Sequence, residues 1–388
     1  MLTVWVWCRL LTSLPLVRAQ YRPTFWCWES RLQSILVACV RDLAIPRIHY
    51  TRTIRSVELS KDVMKTKYCP QAKLKTKKNK ILECEYKLYC FPSRTLADGG
   101  EVAVDWEHGS ADTARDSETP IVVILPGITG SSQSDYCKAL VNIIRDQVGA
   151  RVAVFNFRGR GGVKVKSPRT YCAANSEDLS EILDYINSTF PRAPVVALGV
   201  SLGIMYYPQT TNHFFIGIFG SGPSLHFTHL LHIAGGIILG NYLAEKGESA
   251  RSKLHAAVLI SVCFDTFEGT KSLETPGLNR LLNRHLATRL VATIKEVKEH
   301  FDNNKRWNLE QVFSSTTVRE FDISLTTKMF GYKDVYEYYA DARLYDKVES
   351  IKVPTLAINA ADDPFQPDDS LPKEAAAVSS HVALLTTR

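Results

Sequence analysis

A short apolar run that leads directly into a Gly-x-Ser-x-Gly pentapeptide constrains this chain more than any other feature. The run covers residues 194–198, and the pentapeptide covers residues 199–203 with Ser201 at its centre. Glycines on both sides of a serine permit a sharp turn from strand to helix, which lifts the hydroxyl above the edge of a sheet. The pentapeptide alone also occurs by chance. The preceding strand is therefore what favours a nucleophilic role for Ser201.

Strand-like and helix-like segments alternate from residue 120 onward. Periodicity predicts helices at 134–148 and 176–190, the second with Ser176 as its N-cap. Strands are predicted at 120–125, 151–156, 194–200, 255–262, 353–359 and 381–386. Such alternation is typical of an α/β fold with a mainly parallel sheet flanked by helices.

A long helix-rich stretch separates the predicted strands at 255–262 and 353–359. It contains predicted helices at 278–301 and 317–338, and its position after a sheet strand predicts a helical cap over the serine, at 263–346. Apolar residues recur at helical spacing in the first of these helices. We interpret them as packing between cap and body, with a ligand groove as the alternative: Leu281, Leu282, Leu286, Leu290, Val291 and Ile294.

The net charge of +7 comes from one segment of the 388-residue chain. Residues 58–95 hold ten Lys and Arg but four Asp and Glu, so the rest of the molecule is close to neutral. This distribution excludes nucleic acid as a partner of the whole protein. The lysine-rich segment is predicted to be a disordered, solvated insertion, and contact with anionic lipid is the alternative.

Neither the amino terminus nor the cysteines define a site. Residues 1–19 are apolar but are interrupted by Arg9 and Pro15, so they fit a poor signal peptide or a weak membrane anchor. The nine cysteines form no Cys-x-x-Cys pair and have no zinc-like spacing with histidine. We therefore expect no metal and no cofactor.

A nucleophilic serine on such a sheet needs an acid and an oxyanion hole. The acid should follow the strand beyond the cap, where Asp363 is favoured over Asp362; an Asp-Pro turn without chemistry is the alternative. The oxyanion hole needs two backbone N–H groups. We assign them to Leu202, directly after the serine, and to Ile128, in the loop after the strand at 120–125.

The general base is the missing member of this set. It should follow the last strand, but the sequence reaches Arg388 before such a loop, so the final helix and the histidine loop are expected to be absent. His381 opens the last strand, which places it about 20 Å from the serine. His285 and His300 lie in the predicted cap. We expect structural roles for all three.

The motifs together resemble the abhydrolase domain-containing proteins 1, 2 and 3, which are membrane-associated serine esterases and phospholipases of the α/β-hydrolase superfamily. The branch of proteins 1 and 3 is the most similar. The matching residues are 21–28, 125–130, 167–172, 199–203, 319–322, 329–332 and 359–365. The resemblance implies an α/β-hydrolase fold, lipid esters including phosphatidylcholines as substrates, association with a membrane, and a catalytic set to which Ser201 and Asp363 correspond.

Three departures from the family affect the predicted site. The family's Gly-Gly-His stretch is not found, residues 58–95 interrupt the amino-terminal part, and residues 204–235 separate the serine from its helix. Pro208 prevents an unbroken helix from starting at the serine, so we expect Ser201 to be poorly positioned. The predicted organisation is an amino-terminal segment at 1–57, the insertion at 58–95 and a hydrolase domain at 96–388.

Two functions remain open at this stage. The first is a serine hydrolase that cleaves lipid esters through an acyl-enzyme. Because loss of the base of a triad typically costs on the order of a million-fold in turnover, the chain as written is predicted to be impaired. The second is a non-catalytic protein with the same fold. An acyltransferase on this fold is a third option.

Overall fold

The computed structural model describes residues 50–55, 96, 98–107, 118–127, 129–201, 235–302 and 304–387. The strands of this part are β1 (Tyr50–Arg55), β2 (Val102–Glu107), β3 (Ile121–Leu125), β4 (Arg151–Asn156), β5 (Val195–Val200), β6 (Ala256–Ile260), β7 (Thr355–Ala360) and β8 (Val382–Thr387). They form an eight-stranded sheet in the order β1-β2-β4-β3-β5-β6-β7-β8. The six strands β3 to β8 run parallel to one another. At one edge of the sheet, β2 pairs antiparallel with β4, and β1 pairs antiparallel with β2.

The six strands predicted from the sequence are present and form the parallel part of the sheet. Both β3 and β4 are buried along their whole length, as expected of parallel strands that are covered on both faces. Strands β1 and β2 are additional to those predicted from the sequence. In β2, Asp105 and Glu107 interrupt the apolar pattern, yet the strand is buried. The Ser132 hydroxyl donates to Asp105 at 2.5 Å, which compensates the buried carboxylate.

Helices cover both faces of the sheet. The described helices are α1 (Asp135–Ile143), α2 (Glu177–Thr189), α3 (Gly235–Lys246), α4 (Thr266–Leu273), α5 (Leu278–Glu296), α6 (Leu309–Ser314), α7 (Val318–Phe321), α8 (Thr327–Phe330), α9 (Val335–Ala342) and α10 (Lys373–Val378). Val123 of β3 belongs to the core that contains Ile182 of α2 and Ile238 of α3. Its neighbour Ile124 belongs to the opposite core, together with Val141 of α1. Successive side chains of β3 therefore point to opposite faces of the sheet and pack into the two different cores.

Ser176 does not cap α2 in the predicted way. Its side chain makes no capping hydrogen bond. Instead its hydroxyl donates to Glu245 on α3 at 2.7 Å. The helix nevertheless begins at Glu177, and both Glu177 and Asp178 lie in its first turn, where negative charge is favourable.

The region between β6 and β7 holds α4 to α9. The predicted helix at 317–338 is interrupted in the structure: α7 passes into a π-helical turn, Asp322–Thr326, and α8 ends at Gly331 with φ of 82°. The chain then restarts as α9, whose N-cap Asp334 accepts hydrogen bonds from two backbone N–H groups. A left-handed glycine ends a helix readily, so Gly331 is the residue that accounts for this interruption.

The apolar stripe of α5 is only partly used for packing. Leu286, Val291 and Ile294 are buried, but Leu281 is 68% exposed, so the prediction is wrong for that residue. Leu290 and Ile294 also line a cavity. These two residues therefore combine packing with a place in a cavity wall, and a ligand groove along the stripe stays an alternative.

Several sequence predictions concern residues outside the described ranges. The lysine-rich segment at 58–95 lies outside them, as do the insertion at 204–235 except for Gly235, and the segment at 1–57 except for β1. Among the helices of the described ranges, none is both long enough and apolar enough to cross a membrane.

Candidate active site

Ser201 directly follows β5 at the carboxyl edge of the sheet. Its backbone N–H donates to the carbonyl of Ile260 on the neighbouring strand at 2.8 Å, so the ladder between β5 and β6 extends to the serine. The residue is fully buried. Its hydroxyl has no hydrogen-bond partner among the residues that the structure describes. The sheet therefore holds the backbone of Ser201 in place, whereas the inserted segment on which the expectation of poor positioning rests lies outside the described residues.

The first turn of α3 packs against this serine. A Cβ atom on Gly236 would lie 3.0 Å from the Cβ of Ser201 and 2.6 Å from Cγ2 of Val262. A Cβ atom on Gly199 would lie 2.7 Å from the carbonyl oxygen of Gly235. Real Cβ atoms do not approach so closely, so each of these positions requires glycine. The amino-terminal end of α3 is thereby seated at the end of β5.

The loop after β3 approaches the same edge of the sheet. Gly127 donates its N–H to the Tyr136 hydroxyl at 3.0 Å, and Thr129 donates to the Tyr171 hydroxyl at 3.1 Å. Thr129 has φ of 60°, a conformation that is rare for a residue with a Cβ atom. The two predicted oxyanion donors, Ile128 and Leu202, lie outside the described residues.

Asp363 follows β7, two strands from β5 in the sheet. Strand spacing alone places the two strand ends about 10 Å apart, enough for an imidazole between the side chains. Asp363 is partly buried while Asp362 is exposed. The Phe365 N–H donates to the Asp363 carboxylate at 2.9 Å. This is also the hydrogen bond of the alternative Asp-Pro turn, so one geometry fits both interpretations.

Burial raises the pKa of Asp363 to about 7, and the backbone N–H groups of Phe365 and Gln366 oppose this shift. Gln366 fixes the loop to the start of the cap, because its side-chain oxygen accepts the N–H of Asp265 at 3.2 Å. Asp265 in turn caps α4 and pairs with Arg343 at 2.7 Å. The acidic loop is thus held by the cap as well as by the sheet.

Three of the four histidines in the described ranges lie away from Ser201. His381 accepts the Thr355 N–H through its carbonyl at the amino-terminal end of β7, the opposite edge from Ser201, as its place in the strand predicts. His255 accepts the N–H of Val195 at the beginning of β5. His300 lies on a surface turn near Glu299. The fourth, His285, lies on α5.

A cavity of about 120 Å³ lies beneath the cap. Its walls are mainly apolar, and they include Tyr171, Ile237, Cys263, Leu290, Asp322 and Phe365. Ile237 directly follows Gly236 on α3, and Gly236 packs against Ser201. The cavity wall therefore extends close to Ser201. Phe365 likewise connects it to the loop that bears Asp363. No local sequence pattern predicts this cavity, because its walls come from seven separate segments of the chain.

Asp322 is the one acidic group in that cavity wall. Burial raises its pKa to about 7, although hydrogen bonds from Thr326 and Tyr339 favour the ionised form. The Tyr339 hydroxyl donates to its Oδ2 at 3.1 Å. Across the described ranges, no group of three or more His, Cys, Asp or Glu side chains has the arrangement of a metal site.

Comparison with known proteins agrees with this architecture. A family model of the alpha/beta hydrolase fold matches residues 120–205. Phospholipase ABHD3 of Mus musculus is 31% identical over 96% of this chain and 72% of its own length. Monoacylglycerol lipase of Saccharomyces cerevisiae is 27% identical over 80% of this chain and 62% of its own. The solved esterase Pf2001 of Pyrococcus furiosus covers 76% of this chain and 79% of its own, with 14% identity and a TM-score of 0.41.

The parallel sheet, its flanking helices and the matched family model define an α/β hydrolase. Within that class, the chain belongs to the abhydrolase family that includes phospholipase ABHD3. Both the predicted fold class and the predicted family are therefore confirmed.

Proposed function

We propose that this protein hydrolyses carboxylic esters of lipids through an acyl-enzyme formed on Ser201. The observation that carries the proposal is the seating of a fully buried serine at the end of β5 against the amino-terminal turn of α3. The names of similar proteins support the substrate class, since they include a phospholipase and a monoacylglycerol lipase.

In this mechanism the Ser201 oxygen attacks the ester carbonyl carbon, and its proton passes through a base to the departing alcohol. Water then attacks the acyl-enzyme and releases the fatty acid. The N–H groups of Ile128 and Leu202 are proposed to stabilise the tetrahedral oxyanion. The first turn of α3 adds its own positive end near the same point.

Asp363 is proposed to orient the base and to stabilise its charged form. Its raised pKa supports this role, because the carboxylate has little compensating positive charge around it. An imidazolium beside Asp363 would favour the ionised carboxylate and lower its pKa. In this proposal the Asp363 carboxylate therefore lacks a positively charged partner until a histidine approaches it.

The cavity under the cap is proposed to hold part of the acyl chain. Its walls are largely apolar, and an apolar cavity of about 150 Å³ in another protein binds a benzene-sized ligand. The present cavity suits a segment of a few methylene groups. Association with a membrane surface is proposed for the same reason, since the ester has to be taken from lipid.

A non-catalytic protein with this fold is the second candidate. The placement of three of the four described histidines favours it, because two lie at the opposite edge of the sheet and one lies on a surface turn. The loss of turnover expected from a missing triad base stays a prediction.

Release of fatty acid from phosphatidylcholine vesicles and from a monoacylglycerol distinguishes the two candidates. We expect slow release by the wild-type chain, acceleration by added imidazole, which supplies a base, and no release by Ser201→Ala. Asp363→Asn should lower the rate, whereas Asp362→Asn should leave it near that of the wild type. Absence of release with and without imidazole, from a protein that binds the vesicles, would favour the non-catalytic candidate.

A further inference from the structure

Helix α5 carries unpaired positive charge on its exposed side. Between Glu274 and Glu296 the sequence has no acidic residue, whereas it has three arginines and one lysine. The three arginines share an exposed position: Arg280, Arg284 and Arg289. Arg319 of α7 pairs with Glu274 at 2.9 Å, but within the described ranges no carboxylate lies at ion-pair distance from the three guanidinium groups of α5. Their charge is therefore available to a partner.

Two exposed leucines lie among these cations. Leu281 is 68% exposed and Leu278 is 38% exposed, although both side chains are apolar. Residues three or four apart are neighbours on the surface of a helix, so Leu281 lies beside Leu278 and Arg284, and Arg284 lies beside Arg280. We call these four residues the leucine–arginine patch. Removing its leucines from water is favourable, and positive charge surrounds the place where they would be buried.

The inner side of α5 belongs to the cavity. Leu286 packs with Leu273 and Phe365 in one apolar cluster, and these last two residues line the cavity wall. Leu290 of α5 lines the same wall. Because a helix with its side chains is about 10–12 Å across, a partner on the patch would lie about one helix diameter from the cavity.

The chemistry of the patch favours a lipid surface as that partner. Guanidinium groups without carboxylate partners attract the negatively charged headgroups of anionic lipids. Leucine side chains on the same helix enter the boundary between headgroups and acyl chains. A nucleic acid would bind the arginines but would leave the leucines in water. An anionic bilayer satisfies both kinds of side chain at once.

We propose that the leucine–arginine patch docks this protein on an anionic lipid bilayer, with Leu281 inserted at the headgroups and the arginines beside the lipid phosphates. The inference rests on the proposed function, since it names the surface through which the ester is taken from lipid. It orients the protein so that the cap, and with it the cavity, faces the bilayer.

Binding of the full-length protein to vesicles tests the proposal without any turnover. Vesicles of phosphatidylcholine are compared with vesicles of phosphatidylcholine and phosphatidylserine. We expect Leu281→Ser to weaken binding to the mixed vesicles on the order of tenfold, because a leucine loses its burial. Arg284→Gln should weaken that binding about fivefold and should change binding to the neutral vesicles less than about twofold, because its effect is electrostatic.

Val378→Ser and Arg251→Gln are the matched controls. Val378 is 77% exposed on α10, and Arg251 is exposed on the turn after α3, so neither belongs to the patch. Both variants should bind within about twofold of the wild type. Equal losses in the patch variants and in their controls would overturn the proposal. So would a wild-type protein that does not bind the mixed vesicles.

Tryptophan fluorescence locates the bilayer when another segment of the chain also binds it. Leu281→Trp adds an indole within the patch, and Val378→Trp adds one outside it. Vesicles with brominated acyl chains should quench the emission gained in the first variant and leave the emission gained in the second unchanged. An unquenched indole at position 281, on vesicles that bind the protein, would assign the bilayer to another surface and refute the proposal.

A second copy of this chain is the competing partner for the patch. Light scattering would then show a wild-type dimer that Leu281→Ser dissociates, with vesicle binding unchanged, and this result would also overturn the proposal. Release of fatty acid from the same vesicles is measured separately. Losses of binding confined to the patch variants, with no release by the wild type in imidazole buffer, would count against the proposed function and support the docking surface.

Discussion

A Cβ atom on Gly236 would lie 3.0 Å from the Cβ of Ser201, although the two residues are 35 positions apart in the sequence. The helix that a nucleophilic serine requires is thus present at the end of β5. It reaches that position from a different part of the chain, and two consecutive glycines make the contact possible.

Gly235→Ala tests this close approach. The added methyl group would overlap the carbonyl oxygens of Leu125 and Pro126 at the end of β3, and backbone atoms cannot rotate away. We expect a loss of about 1–3 kcal/mol in the free energy of unfolding, measured by denaturant unfolding. Helix propensity alone predicts the opposite sign, a gain of up to about 1 kcal/mol.

Glu248→Ala serves as the control for that variant. Glu248 lies on the exposed turn after α3, where it pairs only with the exposed Arg251, and the change should stay within about 0.5 kcal/mol. A Gly235→Ala protein as stable as the wild type would mean that α3 is not seated where the structure places it.

Arg158→Ala should be strongly destabilising. Arg158 is almost completely buried, and it binds Asp178 at 2.6 Å and Asp98 at 2.5 Å, so that the loop after β4 is tied to α2. Removing one partner leaves uncompensated carboxylates and typically costs about 3–5 kcal/mol. Denaturant unfolding measures this loss. Arg251→Ala, in an exposed pair, should cost less than about 1 kcal/mol; equal losses in both would refute the buried network.

Asp322→Asn should change how stability depends on pH. The pKa of Asp322 is about 7 in the folded protein, above the usual value near 4, so the folded state holds a proton that the unfolded state releases. Stability from this group is present below about pH 4, falls as pH rises toward 7, and stays low above it. The decrease is at most about 4 kcal/mol.

Thermal melting of Asp322→Asn and wild-type protein between pH 4 and 8 measures the effect. The asparagine variant should lose less stability than the wild type as pH rises, because its amide cannot ionise. Asp302→Asn, at an exposed position, should follow the wild-type curve. Parallel curves for wild type and Asp322→Asn would contradict the burial of an ionisable group at this position.

The sequence predicts the parallel strands well because each is an apolar run bounded by turn residues. Ser201 and Asp363 are predicted by the same logic, as residues that follow strands β5 and β7. What the sequence does not predict is contact between distant segments. The expected poor positioning of Ser201 followed from Pro208 and the inserted segment, which lie outside the described residues. That the helix after the insertion belongs to the serine is a sequence expectation, and the close approach of Gly236 to Ser201 gives its geometry.

The cavity is not predicted for a related reason, since its walls come from distant segments of the chain. Tyr171 belongs to a matched family motif, but its hydrogen bond with Thr129 forms only because the fold brings the two residues together. Likewise, β2 is not predicted because Asp105 interrupts its apolar pattern, and the hydrogen bond that supports its burial comes from Ser132, a distant residue in the sequence. Polar groups whose partners are distant carry no local signal.

The most direct test of the account is covalent labelling of the wild-type chain by a fluorophosphonate probe, with the modified residue identified by mass spectrometry. We predict that the label attaches to Ser201, that added imidazole accelerates its attachment, and that Ser201→Ala removes it. A label on another residue, or none in either buffer, would contradict the assignment of Ser201 as the nucleophile of this hydrolase.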